Sequence, residues 1–141
     1  IINTIKKFNN IKISLSGNNN DYFDNTLSKL IKNSKNIFYL GPIYCRKKLE
    51  SYWNSADFYI HGHSVGGTNP TLIEAISLSK PIISYNVIFN RLILNKNYIF
   101  FNSENELIKI LEEKKFLNVN PIKLNSNFKI DKIHHQTFEL F

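Results

Sequence analysis

The run His61-Gly62-His63-Ser64-Val65-Gly66-Gly67-Thr68-Asn69-Pro70-Thr71-Leu72-Ile73-Glu74-Ala75 gathers most of the side chains in this chain that could do chemistry. Asn69 or Thr68 is a good helix N-cap, and Pro70 suits the first helical position because its missing N–H would be unpaired there anyway. The N–H groups of Thr71 and Leu72 are then expected to stand free at a helix start, with the positive end of the dipole behind them. Gly66-Gly67 has no side chains and would let a phosphate approach the backbone. Glu74, in the second turn, could accept a pair of ribose or sugar hydroxyls through its two carboxylate oxygens. The same residues also suit a strand-to-helix turn that binds nothing, with Glu74 on a solvated face between Thr71 and Ser77.

His61 and His63 are two apart, a spacing that on a strand puts both on one face and could begin a metal site. No Cys, Asp or third His follows nearby, so the closer reading is a pair of loop residues with hydrogen-bonding duties. His63, beside the glycines, is the better functional candidate. Cys45 lies next to Arg46-Lys47-Lys48 but has no base to serve it as a nucleophile. His134-His135 reads as the surface of a terminal helix.

The elements that must carry these residues alternate along the chain. Strands are predicted at residues 11–16, 36–40, 57–60, 81–85 and 98–101, from apolar alternation or short apolar runs closed by turn signals. Helical spacing appears at residues 22–33, 45–55, 71–79 and 104–113, and a terminal helix is expected within 128–141. Residues 116–127 look irregular. Strands alternating with helices of about ten residues imply βαβ units with right-handed crossovers. The expected fold is therefore α/β, a Rossmann-like parallel sheet with helices on both faces. The His61–Ala75 run falls where the third strand ends and a helix begins, which is where open parallel sheets bind ligands.

A chain of 141 residues with 43% apolar side chains suffices for one core and is too ordered in composition for a fibrous or disordered protein. No apolar run approaches the roughly 20 residues of a transmembrane helix. The first residues lack a Met and the pattern of a signal peptide, and resemble the middle of an amphipathic helix, so the true beginning is expected to precede Ile1. A single cysteine fits a reducing, cytoplasmic compartment. The net charge of +7 favours anionic partners. Lys accompanies Asn and Ile throughout, however, so much of that charge reads as composition.

Residues 63–75, with Pro81-Ile82-Ile83 and Phe89-Asn90-Arg91, closely resemble glycosyltransferase family four, nearest its bacterial rhamnosyltransferase-like enzymes of surface-polysaccharide synthesis. Gly41, Tyr44 and Leu49 before Ala56-Asp57 extend the resemblance over nearly the whole chain. It implies that residues 1–141 form the C-terminal, nucleotide-sugar-binding half of a GT-B fold, without its first strand or the N-terminal acceptor domain. By that resemblance Glu74 holds the nucleotide ribose, and the loop and helix start at Gly67, Thr68, Asn69, Thr71 and Leu72 face the donor diphosphate and sugar. Gly17 and the Gly41 to Tyr44 loop, with Ile43 and Tyr44, line the nucleotide and base, and His63 joins them.

Gly66 stands where the family usually carries a first glutamate, eight residues before Glu74, so the usual sugar contact there is absent or rebuilt. The implied reaction passes a sugar from a nucleotide diphosphate to a glycan or lipid-linked acceptor with retention of configuration, without a metal or other cofactor. The fragment alone is expected to be inactive. The competing class is a non-catalytic nucleotide- or polyanion-binding module. Nucleic acid would need basic and aromatic residues interleaved on one face, whereas Lys6-Lys7, Lys47-Lys48 and Lys114-Lys115 are spread along the chain. A basic surface would instead let the parent enzyme rest against the anionic inner face of a membrane.

Overall fold

The structure is a computed structural model and describes residues 1–16, 27–65, 69–94 and 98–119. The chain divides into two compact units, Ile1–Asn54 and Ser55–Phe141. Each is built from parallel strands flanked by helices, and the fold is α/β and Rossmann-like. The strands pair in two sheets among the described residues. The helix expected within 128–141 lies outside the described residues.

The first unit holds α1 (Ile2–Ile5), β1 (Ile13–Leu15), α2 (Ser28–Lys32), β2 (Ile37–Tyr39) and most of α3 (Arg46–Ser55). The two strands run parallel, with Ile13 opposite Ile37 and Leu15 opposite Tyr39. Ile5, Ile37 and Trp53 are its buried apolar side chains. The exit from α1 is tied down by one buried amide: Asn36 Nδ2 lies 2.8, 2.7 and 3.0 Å from the carbonyl oxygens of Ile5, Phe8 and Ile11 and shares its two N–H groups among them. Past β2 the chain turns at Gly41, whose φ of +70° needs glycine for its backbone alone, since an added Cβ would meet nothing within 4 Å. The Gly41 carbonyl accepts from Ser16 Oγ at 3.0 Å.

The second unit holds β3 (Tyr59–His61), α4 (Pro70–Ser77), β4 (Ile82–Tyr85), α5 (Ile88–Ile93), β5 (Ile99–Phe101), α6 (Glu104–Glu112) and a 3-10 turn (Lys115–Asn118). Its parallel sheet has the order β3-β4-β5, with His61 opposite Ser84 and Tyr85 opposite Phe101. Ile82, Ile83 and Ser84 are all buried, as a central strand covered on both faces requires. The buried stripe of α4 is Leu72, Ile73, Ala75 and Ile76, and that of α6 is Leu107, Ile110 and Leu111. Burying one such Leu or Ile is worth about 1.5–3 kcal/mol, so these two stripes fix which way each helix faces.

The caps sharpen the helix starts. Ser103 Oγ accepts from Glu106 N at 3.2 Å, while the Glu106 carboxylate accepts from Asn102 N at 2.6 Å. Those Asn102 hydrogen bonds hold the Glu106 carboxyl below its ordinary pKa. The end of α4 is closed by Ser79 at φ 53° and by Lys80 N donating to the Ala75 carbonyl at 3.0 Å. Phe116, in the 3-10 turn, stacks on Phe58 with ring centroids 4.3 Å apart, which places order where the sequence reads as irregular.

Candidate functional site

The site expected from the sequence divides between the two units. Ile43 and Tyr44 belong to the first, where Ile43 is half-buried and Tyr44 is 86% exposed. Gly17, Gly66, Gly67 and Thr68 lie outside the described residues. The second unit holds His63 just past the carboxyl end of β3, and Asn69, Thr71, Leu72 and Glu74 along the first two turns of α4.

The start of α4 follows the capping rules. Asn69 is the N-cap in extended conformation, with φ −86° and ψ 122°, and Pro70 takes the first helical position. The consequence differs from the sequence expectation of free N–H groups. Asn69 Oδ1 accepts from Thr71 N at 3.0 Å, and the Asn69 carbonyl accepts from Leu72 N at 3.0 Å and Ile73 N at 3.2 Å. A good cap consumes the donors that an anion would use. Of these acceptors only the Asn69 side chain can rotate away without moving the backbone. The Leu72 side chain is fully buried, so a ligand could meet this residue only through its backbone.

Glu74 lies on the less buried stripe of α4, with Thr71 before it and Ser77 after it. The Ser77 hydroxyl donates to the Glu74 carbonyl at 2.7 Å. The Glu74 side chain carries its charge toward Tyr59 on β3: burial, and then that charge, push the Tyr59 phenol up to about 12. Tyr59 thus remains a neutral hydroxyl throughout the ordinary pH range.

His61 is not a loop residue. It ends β3 and is 2% exposed, and its Nδ1 shares a 3.1 Å hydrogen bond with Tyr59 Oη. Its Nε2 is buried without a hydrogen-bond partner among the described residues. Burial, followed by the neighbouring His63, holds the imidazole below its ordinary pKa, and the amide of Asn90 opposes that in part. His63 itself is exposed, with its ring 6.1 Å from that of His61. Among the described residues no group of three or more His, Cys, Asp or Glu is placed to hold a metal ion.

Sequence reasoning missed α5, and it took Asn90 only as part of the resemblance, with no role of its own. Asn90 is 4% exposed, and its Nδ2 donates to the carbonyls of His63 at 3.0 Å and Tyr85 at 2.9 Å. Its α5 neighbours Ile88, Phe89 and Leu92 are exposed, the reverse of what an apolar stripe would predict. A signal was available: a polar residue amid apolar ones, just past a strand, invites the question of what it bonds.

With this geometry in view, the chain can be set beside known proteins. No protein-family model matches it, and no curated protein matches it. It is similar in structure to Anabaena Alr3699/HepE, solved by crystallography in complex with UDP, with a TM-score of 0.69. That likeness covers 99% of this chain at 13% identity, and the chain spans 43% of the length of that one. The likeness is one of fold. Among the described residues no helix is long and apolar enough to cross a membrane.

Proposed function

We propose that this chain is the donor-binding part of a glycosyltransferase, and that α4 and the end of β3 hold a nucleotide diphosphate sugar. The capped start of α4 at the carboxyl end of a parallel strand carries the reading, because it joins a Thr71 N–H that the Asn69 side chain can release with a carboxylate one turn on. The similarity of fold to a protein solved with UDP supports a uridine or related diphosphate as the ligand. Glu74 would take the ribose hydroxyls, and the helix start at Asn69, Thr71 and Leu72 would face the diphosphate, meeting it through the Thr71 N–H once the Asn69 side chain swings away.

In the full enzyme the sugar would leave the diphosphate for an acceptor hydroxyl on a glycan or lipid carrier, with retention of configuration. Helix-start N–H groups would stabilise the charge that builds on the departing diphosphate. Membership of glycosyltransferase family four, a hexose or rhamnose-type sugar and a polysaccharide product form the finer part of this proposal. They rest on the resemblance of residues 63–91.

UDP and dTDP should protect the chain against heat, and Glu74→Ala should lose most of that protection. Equal protection of both proteins would remove Glu74 from the site. Protection of neither would remove the donor reading.

The proposal extends to a membrane. Residues 1–54 carry nine of the 18 Lys and Arg but only three of the 11 Asp and Glu, so almost all of the net charge of +7 sits in the first unit. A genome bias toward Lys would act on both units alike, whereas the difference here lies in the acids. Of those three, Glu50 is already paired with Arg46 at 3.0 Å. Such a unit suits the anionic face of a bilayer, each nearby cation contributing about 1 kcal/mol.

A further inference from the structure

Asn90 does something that its own helix does not require. In α5 the apolar Ile88, Phe89 and Leu92 are 52, 44 and 77% exposed, while the amide between them is buried. Its Nδ2 reaches two carbonyls from two different strand exits. Tyr85 is the last residue of β4, and His63 follows the last residue of β3 by two. These strands are hydrogen-bonded neighbours, and His61 and Ser84, opposite one another, are both buried at this end. One NH2 group therefore brackets the backbone where both strands leave the sheet.

Few side chains could do this. A primary amide offers two N–H donors from a single atom, a hydroxyl offers one, and a carboxylate offers none. Substitution by Asp would keep the shape and set a carboxylate against two carbonyl oxygens. Substitution by Leu would keep the volume and leave both carbonyls without this donor. The bracket joins the His63 backbone, the end of β4 and α5, just past the strand end where Tyr59 Oη bonds the buried His61.

We infer that Asn90 is a positioning residue of the donor site, acting through the His63 carbonyl to fix the course of the chain as it leaves β3 toward α4. This rests on the donor reading given above. Asn90 touches no ligand in this role. It sets the register from which Asn69 and Glu74 are presented.

The test compares wild type, Asn90→Asp, Asn90→Leu and Asn90→Ser with Ile110→Val, a control in the buried stripe of α6 that leaves the bracket intact. Three quantities are measured: the melting temperature, the dissociation constants of UDP and dTDP well below every melting point, and hydrogen exchange of the Gly62 to Val65 amides. Asn90→Asp and Asn90→Leu should weaken nucleotide binding at least tenfold and speed exchange over Gly62 to Val65. Asn90→Ser, keeping one donor, should fall between them and wild type and serves if the other two do not fold. Ile110→Val should lower the melting temperature alone.

Unchanged nucleotide affinity in the folded Asn90 variants would overturn the inference and leave the donor reading standing. Wild type that binds neither nucleotide would overturn both. Faster exchange in the variants would then still report a bracket, but one that serves no donor site.

Discussion

Replacing Asn69 by glycine tests whether the cap of α4 and a diphosphate compete for the same donor. The Thr71 N–H is held by Asn69 Oδ1 at 3.0 Å, and the next two N–H groups by the Asn69 carbonyl. Glycine keeps that carbonyl and removes only the side chain. A capping Asn changed to Gly costs only a few tenths of a kcal/mol, and changed to Ala about 1 kcal/mol. For a chain of this size Asn69→Gly should therefore melt within about 2 °C of wild type and Asn69→Ala roughly 4 °C below it.

In wild type a diphosphate must first release the Thr71 N–H from the cap, a net cost of about 1 kcal/mol. Asn69→Gly removes that step and should bind UDP about fivefold more tightly, while uridine, lacking the diphosphate, should bind both proteins alike. Isothermal titration with UDP and uridine reads the difference directly. Unchanged or weaker UDP binding by Asn69→Gly would refute the competition. If uridine weakened in parallel, the Asn69 side chain would be a ligand contact in its own right.

Two further expectations concern protons and lipid. The His61 imidazole titrates below its ordinary value of 6.5 in the folded chain, so the unfolded chain takes up that proton first as pH falls. Its neutral burial carries no penalty above about pH 6.5, and stability is lost as the pH falls from there toward the folded value. Urea unfolding from pH 7.5 to 5 should show wild type losing stability faster than His61→Gln, and parallel curves would contradict the burial of a neutral imidazole. The basic first unit should bring the chain down with vesicles of 7:3 phosphatidylcholine and phosphatidylglycerol. That binding should fall steeply with salt and with the pair Lys47→Glu and Lys48→Glu, and equal sedimentation with pure phosphatidylcholine would refute it.

The parts of the fold legible in the sequence are those set by local patterning. Residues 11–16, 36–40, 81–85 and 98–101 read as strands from their apolar alternation and turns, and contain β1, β2, β4 and β5. The start of α4 is legible in Asn69-Pro70 because capping is decided within three residues. What escapes depends on distant partners. His61 reads as polar and is buried because Tyr59 satisfies one of its nitrogens. The helix at Ile88–Ile93 carries its apolar residues outward, so no periodicity announces it. The N–H groups of Thr71 and Leu72 read as free because the sequence shows that a cap exists without showing how fully it is used.

Those two kinds of residue divide the labour at the candidate site. Asn69, Pro70, Thr71 and Glu74 are fixed by the local rules of one helix, and such a helix start would bind an anion weakly wherever it stood. Selectivity for a whole nucleotide needs the helix start held at a set distance from whatever meets the base and sugar. In the second unit the groups that would set that distance lie outside α4: Asn90 on the carbonyls of His63 and Tyr85, and the Tyr59–His61 pair on β3. Gly66 stands where the resembled family places a glutamate, and glycine has no side chain with which to hold a sugar hydroxyl. In a working donor site that hold would fall to other groups, among them those whose positions the Asn90 bracket sets. On this argument Asn90 variants should change which nucleotide sugars bind, and not merely how strongly, whereas Asn69 variants should shift all diphosphates together.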